Sequence, residues 1–430
     1  MLNRFGLLGG KLGHSFSPRI HAMLGNYEYK LYEKTPGEVE GFLRQGDFDG
    51  LNVTIPYKKT VLPLCATLSD EARRIGSVNT LVRRADGTLH GDNTDYFGFS
   101  FMLGKSGARI NGKKALVLGA GGAAAAVRAV LTDEGAGEIV TVSRSAKQGD
   151  GSSAWQNQAD EPSPCLASSY RDAQIIVNAT PVGMYPENGE SPVGLDIFDS
   201  IEAVFDLIYN PSRTELMLQA EDMGIPNIGG LVMLVAQAKR ASELFIGMGE
   251  ADSPPGFKTC SVIEGIAEKI ERDMKNIALI GMPGCGRTTV GRSLSELTGR
   301  AFYDMDEMIE ARAGKGIECI FSEDGEETFR DIEEEVLQEV SKNSGCVIAT
   351  GGGVVKRPEN RRLLRQNSTV VFIDRAMDDL PKDGRPLSLS CGVEALFSQR
   401  LPLYMVWSDI RITARVGVLN TAHAVKESLQ

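Results

Sequence analysis

Two glycine-rich turns in this 430-residue chain have the residue types and spacing needed to hold phosphate. The first is Gly119-Ala120-Gly121-Gly122-Ala123-Ala124, a G-x-G-x-x-A run. Glycines there permit a tight turn and let backbone N–H groups approach a pyrophosphate at the positive end of a helix. An ordinary Gly-rich βα turn would share the motif, but an apolar strand before it and an alanine-rich helix after it favour the phosphate reading. The next strand ends in Ser143-Arg144-Ser145, without the carboxylate that would take a ribose 2′-hydroxyl. An arginine and two hydroxyls suit a 2′-phosphate, so the expected cofactor is NADP(H). The second turn is Gly281-Met282-Pro283-Gly284-Cys285-Gly286-Arg287-Thr288-Thr289. It follows G-x-x-x-x-G-K-T, with Arg287 where lysine is usual. Its N–H groups would cradle nucleotide phosphates and the Thr288 hydroxyl would bind Mg2+.

Three further clusters are polar where a plain fold needs no polarity. Gly13-His14-Ser15-Phe16-Ser17-Pro18 sets two hydroxyls ahead of a helix. One of them could cap that helix, and both together could cradle a carboxylate. Asn52-Val53-Thr54-Ile55-Pro56-Tyr57-Lys58 ends a strand and presents Thr54 and Lys58. Asn79 and Asp92-Asn93-Thr94-Asp95 lie at other strand ends. Taken alone, Lys58 reads as solvated surface and Asp95 as a cap for a helix from Tyr96 to Leu103.

The elements that must position these residues follow from periodicity and turn residues. Strands are expected at Phe5–Gly9, Tyr27–Tyr32 and Gly50–Thr54, with helices at Pro18–Gly25, Pro36–Gln45 and Leu62–Arg74. Asn79–Val82 and Thr88–Gly91 read as a hairpin around Asp86-Gly87. The βαβ unit then runs from Ala115–Leu118 through a helix at Ala123–Leu131 to a strand at Glu138–Val142. Residues 148–169 read as a surface excursion, residues 247–257 as a loop and Thr259–Met274 as a helix. A new domain is expected near Lys275, with a strand at Ile277–Ile280 and a helix reaching Leu297. The fold class is therefore α/β: an N-terminal α/β substrate domain and a Rossmann NADP domain, then a P-loop domain like the nucleoside monophosphate kinases. The first unit is expected over 1–274, its substrate part being 1–100 and 235–274 and its Rossmann part 101–234. The P-loop domain takes 275–430.

Composition excludes several function classes. The chain is 42% hydrophobic and 24% charged, ordinary for a globular protein. Its net charge of −11 disfavours nucleic acid and anionic membranes as partners. No apolar run approaches a membrane span, and the N-terminus lacks a secretory signal. Seven scattered cysteines without a CxxC pair fit reduced thiols, so a cytoplasmic location is expected. Four histidines, none at metal-ligand spacing, argue against zinc. Oligomeric state is not legible.

Taken together, the S-x-S, N-V-T-x-P-x-K, V-N-T and D-N-T-D motifs resemble shikimate dehydrogenase, in that family's order. The likeness continues through Ile175–Met184, Asp206–Pro211 and Gly230–Gln237, and covers residues 1 to about 248. Ser143-Arg144-Ser145 differs from the commoner Asn-Arg-Thr but keeps the arginine. The resemblance implies NADPH-dependent reduction of 3-dehydroshikimate to shikimate, with Lys58 as proton donor and Asp95 holding it. It implies Ser15 and Ser17 on the carboxylate, with Thr54, Asn79, Asp95, Tyr209 and Gln237 on ring hydroxyls or carboxylate. The cofactor would lie on Gly119, Ala120, Gly121, Gly122, Ala123, Ser143, Arg144, Ser145 and Gly230. A quinate-type polyol dehydrogenase would differ only in pocket detail.

The second half resembles shikimate kinase over 276 to about 425. Phe302-Tyr303-Asp304-Met305-Asp306, Phe329–Glu333, Gly351-Gly352-Gly353, Gly384-Arg385-Pro386 and Arg400–Tyr404 carry the likeness. It implies that Asp306, Arg330, Gly352 and Arg400 bind shikimate, with both arginines on its carboxylate. Gly284, Cys285, Gly286, Arg287, Thr288, Thr289 and the lid residue Arg385 would hold ATP. Asp304 would be an outer-shell partner of Mg2+. Two departures, Arg287 and a short stretch before Arg385, leave open a slowed or non-catalytic kinase domain.

Overall fold

The computed structural model describes residues 4–13, 15–146, 153–157, 170–247, 257–380 and 393–429. The chain divides into two compact units. The first holds residues 1–183, 190–209 and 219–269; the second holds 184–189, 210–218 and 270–430.

The first unit contains two six-stranded sheets. Strands β1 (Arg4–Gly9), β2 (Glu28–Glu33), β3 (Gly50–Val53), β4 (Thr67–Leu68), β5 (Thr80–Arg83) and β6 (Leu89–Asp92) make one, in the order β2-β1-β3-β5-β6-β4. β1 runs parallel to β2 and β3, so helices α1 (Ser17–Leu24) and α2 (Pro36–Gln45) make the crossovers. β5 is antiparallel to both β3 and β6, and β5–β6 is the expected hairpin. The expected helix over Leu62–Arg74 is corrected. Pro63 supports only a 3-10 turn at Leu62–Leu64, and Thr67–Leu68 pairs with β6. Helix α3 (Asp70–Ile75) starts only where the Ser69 hydroxyl accepts the Ala72 N–H at 3.1 Å.

The second sheet has the order β12-β11-β10-β7-β8-β9. It comprises β7 (Lys114–Leu118), β8 (Glu138–Ala146), β9 (Ser153–Asn157), β10 (Ile175–Asn178), β11 (Ala203–Asp206) and β12 (Asn227–Gly229). Helices α4 (Thr94–Ser106) and α5 (Gly122–Asp133) flank β7, and α6 (Glu215–Asp222) and α7 (Leu231–Phe245) come later. All pairs are parallel except β8–β9. Ala115, Leu116, Val117 and Leu118 are fully buried, which explains their uninterrupted apolar run. Strand order reverses between β7 and β10, the crevice where such folds bind ligands. The excursion expected over 148–169 is corrected in part: β8 runs past the turn to Ala146, and Ser153–Asn157 pairs with that edge. The rest of residues 148–169 lies outside the described residues.

Helix α8 (Phe257–Met274) leads to the second unit, the division falling between Lys269 and Ile270. A five-stranded parallel sheet there has the order β14-β15-β13-β16-β17. Its strands are β13 (Asn276–Ile280), β14 (Phe302–Asp304), β15 (Val347–Ala349), β16 (Ser368–Asp374) and β17 (Ile410–Thr413). The helices that matter for the site are α9 (Arg287–Thr298), α10 (Met305–Ala313), α11 (Ile317–Cys319), α12 (Gly325–Val340), α13 (Pro358–Asn367) and α14 (Val393–Trp407). β13 is the central strand, so the turn leaving it opens at the middle of the sheet's C-terminal edge.

Candidate active sites

In the first unit, β3, β5 and α4 converge on one ion pair. Lys58 Nζ donates to Asp95 Oδ2 at 2.5 Å; the Asp95 side chain is 3% exposed and that of Lys58 19%. The sequence reading of Asp95 as a cap is corrected. The N-cap position is Asn93, and Asp95 lies inside the first turn of α4. The Thr94 N–H is instead taken by Asn79 Oδ1 at 2.7 Å, from the start of β5. Asn79 Nδ2 then donates to Asp95 Oδ1 at 2.9 Å, so both carboxylate oxygens are engaged. Lys58 is therefore not a solvated surface lysine but an ammonium aimed at a fixed carboxylate.

Gln237 joins this group from α7, its Oε1 accepting from Asn79 Nδ2 at 3.4 Å. Gly98 makes that approach possible. A side chain there would come within 2.9 Å of Met233 O and 3.2 Å of Gln237 Cβ. Ser15 and Ser17 sit half-buried before α1. Phe16 holds the N-cap position of α1 without a side-chain cap bond, and Ser15 meets the first N–H of the helix instead. Ser15 Oγ accepts the Ser17 N–H at 3.2 Å, and the Ser17 side chain bonds Tyr29. Phe16 meets Tyr209 edge-on, 5.6 Å between ring centroids, which brings Tyr209 to the serine turn. Burial raises the Tyr209 hydroxyl above the usual phenol range. Thr54 is half-buried at the end of β3.

The Gly119 turn faces the same pair. A Cβ placed on Gly122 would lie 3.6 Å from Lys58 Cδ and 3.7 Å from Ser77 Oγ. At Gly121 a Cβ would touch none of the described residues, which leaves room for a pyrophosphate to reach the backbone. Ala123 lies in the first turn of α5 behind it. The Gly119 N–H bonds Val142 O at 2.7 Å, so the end of β8, with Ser143, lies beside the turn. β8 continues through Arg144 and Ser145, whose side chains lie outside the described residues. Gly230 is the N-cap of α7. The open space at this turn fits a dinucleotide.

In the second unit a cavity of about 490 Å3 is lined by Arg287, Asp306, Arg330, Glu333, Gly352 and Arg400, among others. Arg330, 4% exposed, donates to Glu333 Oε2 at 2.6 Å and to Glu326 Oε1 at 3.1 Å. Gly353 is required beside it, because a Cβ there would fall 2.2 Å from Arg330 Nη1. Arg400, 3% exposed, donates to Gly352 O at 2.9 Å. Asp304 caps α10 through the Asp306 N–H at 2.9 Å, and Asp306 follows on the cavity wall. Thr288, in the first turn of α9, is half-buried. Among the described residues no cluster of three or more metal-ligand side chains occurs. Arg385 lies outside the described residues.

Arg287 does not point away from its loop. Its Nη1 donates to Gly281 O, and to Met282 O at 3.0 Å. Its Nε is buried without a partner. Glu333 was not singled out by sequence reasoning, although its i+3 spacing from Arg330 on a helix signals a shared face. It is fully buried, and Oε1 has no partner. Burial raises its carboxyl above the usual range, against the pull of Arg330.

Known proteins match both halves of the chain. The family profile described as shikimate dehydrogenase substrate binding domain matches residues 7–81, and that of shikimate kinase matches residues 283–425. A shikimate dehydrogenase (NADP(+)) of Clostridium beijerinckii is 39% identical over 249 residues, covering 56% of this chain and 91% of that protein. The crystal structure of a chorismate mutase/shikimate 5-dehydrogenase fusion protein from Clostridium acetobutylicum is similar with a TM-score of 0.53 at 35% identity. The match spans 63% of this chain and 99% of that one. A Thermus thermophilus shikimate 5-dehydrogenase, solved in complex with NADP(H) and shikimate, has a TM-score of 0.51 at 30% identity, over 63% and 99% of the chains. No described helix is long and apolar enough to cross a membrane. The chain belongs to the shikimate dehydrogenase family and carries, fused behind that region, a shikimate kinase domain: it is an enzyme of the shikimate pathway.

Proposed function

We propose that the chain reduces 3-dehydroshikimate with NADPH and then phosphorylates the 3-hydroxyl of shikimate with ATP and Mg2+. The observation that carries the first step is the Lys58–Asp95 pair, 2.5 Å long and facing the Gly122 turn. NADPH, when bound, supplies the hydride. Lys58 donates the proton to the alkoxide that develops on the ring carbonyl, and takes it back in the reverse direction. Asp95 and Asn79 hold that ammonium in place, which spares the barrier the cost of orienting it. Ser15 and Ser17 donate to the carboxylate, while Thr54, Asn79, Tyr209 and Gln237 take the ring hydroxyls or carboxylate. Gly119, Ala120, Gly121, Gly122, Ala123 and Gly230 seat the dinucleotide, and Ser143, Arg144 and Ser145 its 2′-phosphate.

In the second unit Arg330 and Arg400 clamp the acceptor carboxylate, with Asp306 and Gly352 completing its pocket. Gly284, Cys285, Gly286, Thr288 and Thr289 hold the nucleotide phosphates, Thr288 the Mg2+ ion, Asp304 its water shell and Arg385 the nucleotide. A second reading, a slowed or non-catalytic kinase, is favoured by Arg287, whose guanidinium is spent on the loop's own carbonyls. Replacing it by lysine separates the two readings.

We assign residues 1–274 to the dehydrogenase and 275–430 to the kinase, both in the cytoplasm. The five described cysteines are free thiols, in keeping with that compartment. The purified 1–274 fragment should fold, oxidise NADPH with 3-dehydroshikimate, and prefer it to 3-dehydroquinate. A preference for 3-dehydroquinate would make the first unit a quinate-type enzyme, and an inactive fragment beside an active full chain would overturn the boundary.

A further inference from the structure

Between Tyr29, beside the serine turn, and the proton-donating lysine runs an unbroken line of hydrogen bonds through the first sheet. The Ser17 side chain bonds Tyr29. The Tyr29 hydroxyl donates to Asn52 Oδ1 at 2.8 Å. Asn52 Nδ2 donates to Thr80 Oγ1 at 3.3 Å, and Thr80 Oγ1 to Asn79 Oδ1 at 3.1 Å. Asn79 leads to Asp95 and so to Lys58. The pairing register explains the path, since Asn52 stands directly opposite Thr80 across β3 and β5, and Thr80 opposite Asp92 across β6.

From this we infer that Asn52 is a positioning residue for the reduction, joining the carboxylate-holding end of the pocket to its proton-donating end. The inference rests on the roles proposed above for Ser17 and Lys58. Asn52 holds its orientation because its oxygen has two donors. Besides Tyr29, His21 Nε2 lies 3.1 Å from Asn52 Oδ1. An amide oxygen only accepts, so that nitrogen carries the imidazole hydrogen. His21 is 1% exposed, and burial lowers its pKa to about 3, so the ring stays neutral with one hydrogen to place. Its other nitrogen lies 2.7 Å from the Tyr27 hydroxyl, and its ring stacks on Tyr29 at 3.9 Å.

Two donors on one oxygen give the line a specific capacity. The Tyr29 hydroxyl has one hydrogen and two acceptors in reach, Asn52 Oδ1 and Ser17 Oγ. When a substrate carboxylate takes the Ser17 hydrogen, Tyr29 turns its own hydrogen to Ser17 Oγ. His21 then keeps Asn52 Oδ1 satisfied, and Asn52 still fixes Thr80 and Asn79. No buried polar group is stranded in either state, the condition such a network must meet.

Deleting one hydroxyl on each side of Asn52 tests this. Tyr29→Phe should raise KM for 3-dehydroshikimate about three- to tenfold and leave kcat within about twofold. Thr80→Val should lower kcat about three- to tenfold and leave KM within about twofold. Thr80→Ser, which restores the hydroxyl, should recover kcat, and it keeps the test decisive should the valine variant fold poorly. Proportional changes in KM and kcat for both deletions, or no change in either, would reduce the line to a structural feature and overturn the inference. Lys58→Ala in the same assay separates the two levels. A crippled Lys58 variant with an unsplit pattern removes only the role of Asn52. A fully active Lys58 variant removes the reading on which it rests.

Discussion

The two sites handle charge in opposite ways. The reduction site has one ion pair, Lys58–Asp95, set among neutral amides and hydroxyls that satisfy one another. The kinase cavity brings together Arg287, Arg330, Arg400, Asp306 and Glu333, and leaves Arg287 Nε and Glu333 Oε1 buried without partners. The chemistry accounts for the contrast. Carbonyl reduction develops one negative charge on one oxygen, and one held proton donor meets it. Phosphoryl transfer spreads charge over several oxygens and gives the protein little covalent work, so catalysis depends on placing many charges. Buried polar atoms without partners cost free energy, and a charged ligand in the cavity would meet these two.

This contrast predicts where single changes hurt. In the reduction site everything converges on one group, so Lys58→Ala should lower dehydrogenase kcat by about 10²–10⁴ with little change in KM. Near-normal kcat would show that the pair is structural. The cofactor end should be less sensitive. Arg144→Ala should raise KM for NADPH roughly ten- to a hundredfold and leave use of NADH almost unchanged. An equal loss with both cofactors would make Arg144 structural. In the kinase unit, where load is shared among several cations, Arg287→Lys should act most mildly. Arginine keeps the charge but bonds as a rigid planar fork. A misplacement near 1 Å costs about a hundredfold, and the remaining cations recover part of it. The lysine variant should therefore raise kinase kcat several-fold with KM for shikimate little changed. A slower lysine variant would mean that the loop has adapted to arginine.

Much of this arrangement was legible because motif residues report backbone geometry. The Gly119 and Gly281 turns follow buried strands and open α5 and α9, as their spacing implied. Lys58, Asp95, Asn79 and Gln237 meet in one network, though Lys58 and Asp95 taken alone had plainer readings. What escaped was set by register or by competition between local signals. Asn52 and Thr80 are 28 positions apart and meet only because β3 and β5 pair antiparallel. Tyr29 and His21 carry no motif and enter through side-chain stacking. The stretch from Leu62 to Arg74 had helical periodicity, but Pro63, the Ser69 cap and pairing with β6 divided it into three elements. Glu333 was hidden among the acidic residues of α12, most of them unlike it in burial.

The central claim is that one chain performs two consecutive steps. It is tested most directly by incubating the purified full-length protein with 3-dehydroshikimate, NADPH, ATP and Mg2+, omitting each in turn, and following NADPH oxidation and phosphorylated product together. NADPH oxidation should need 3-dehydroshikimate but not ATP. Shikimate 3-phosphate should form only when both NADPH and ATP are present, at a rate set by the kinase unit. NADPH oxidation that proceeds to completion with no phosphorylated product, even after added shikimate and long incubation, would contradict the account and leave the second unit a binding module.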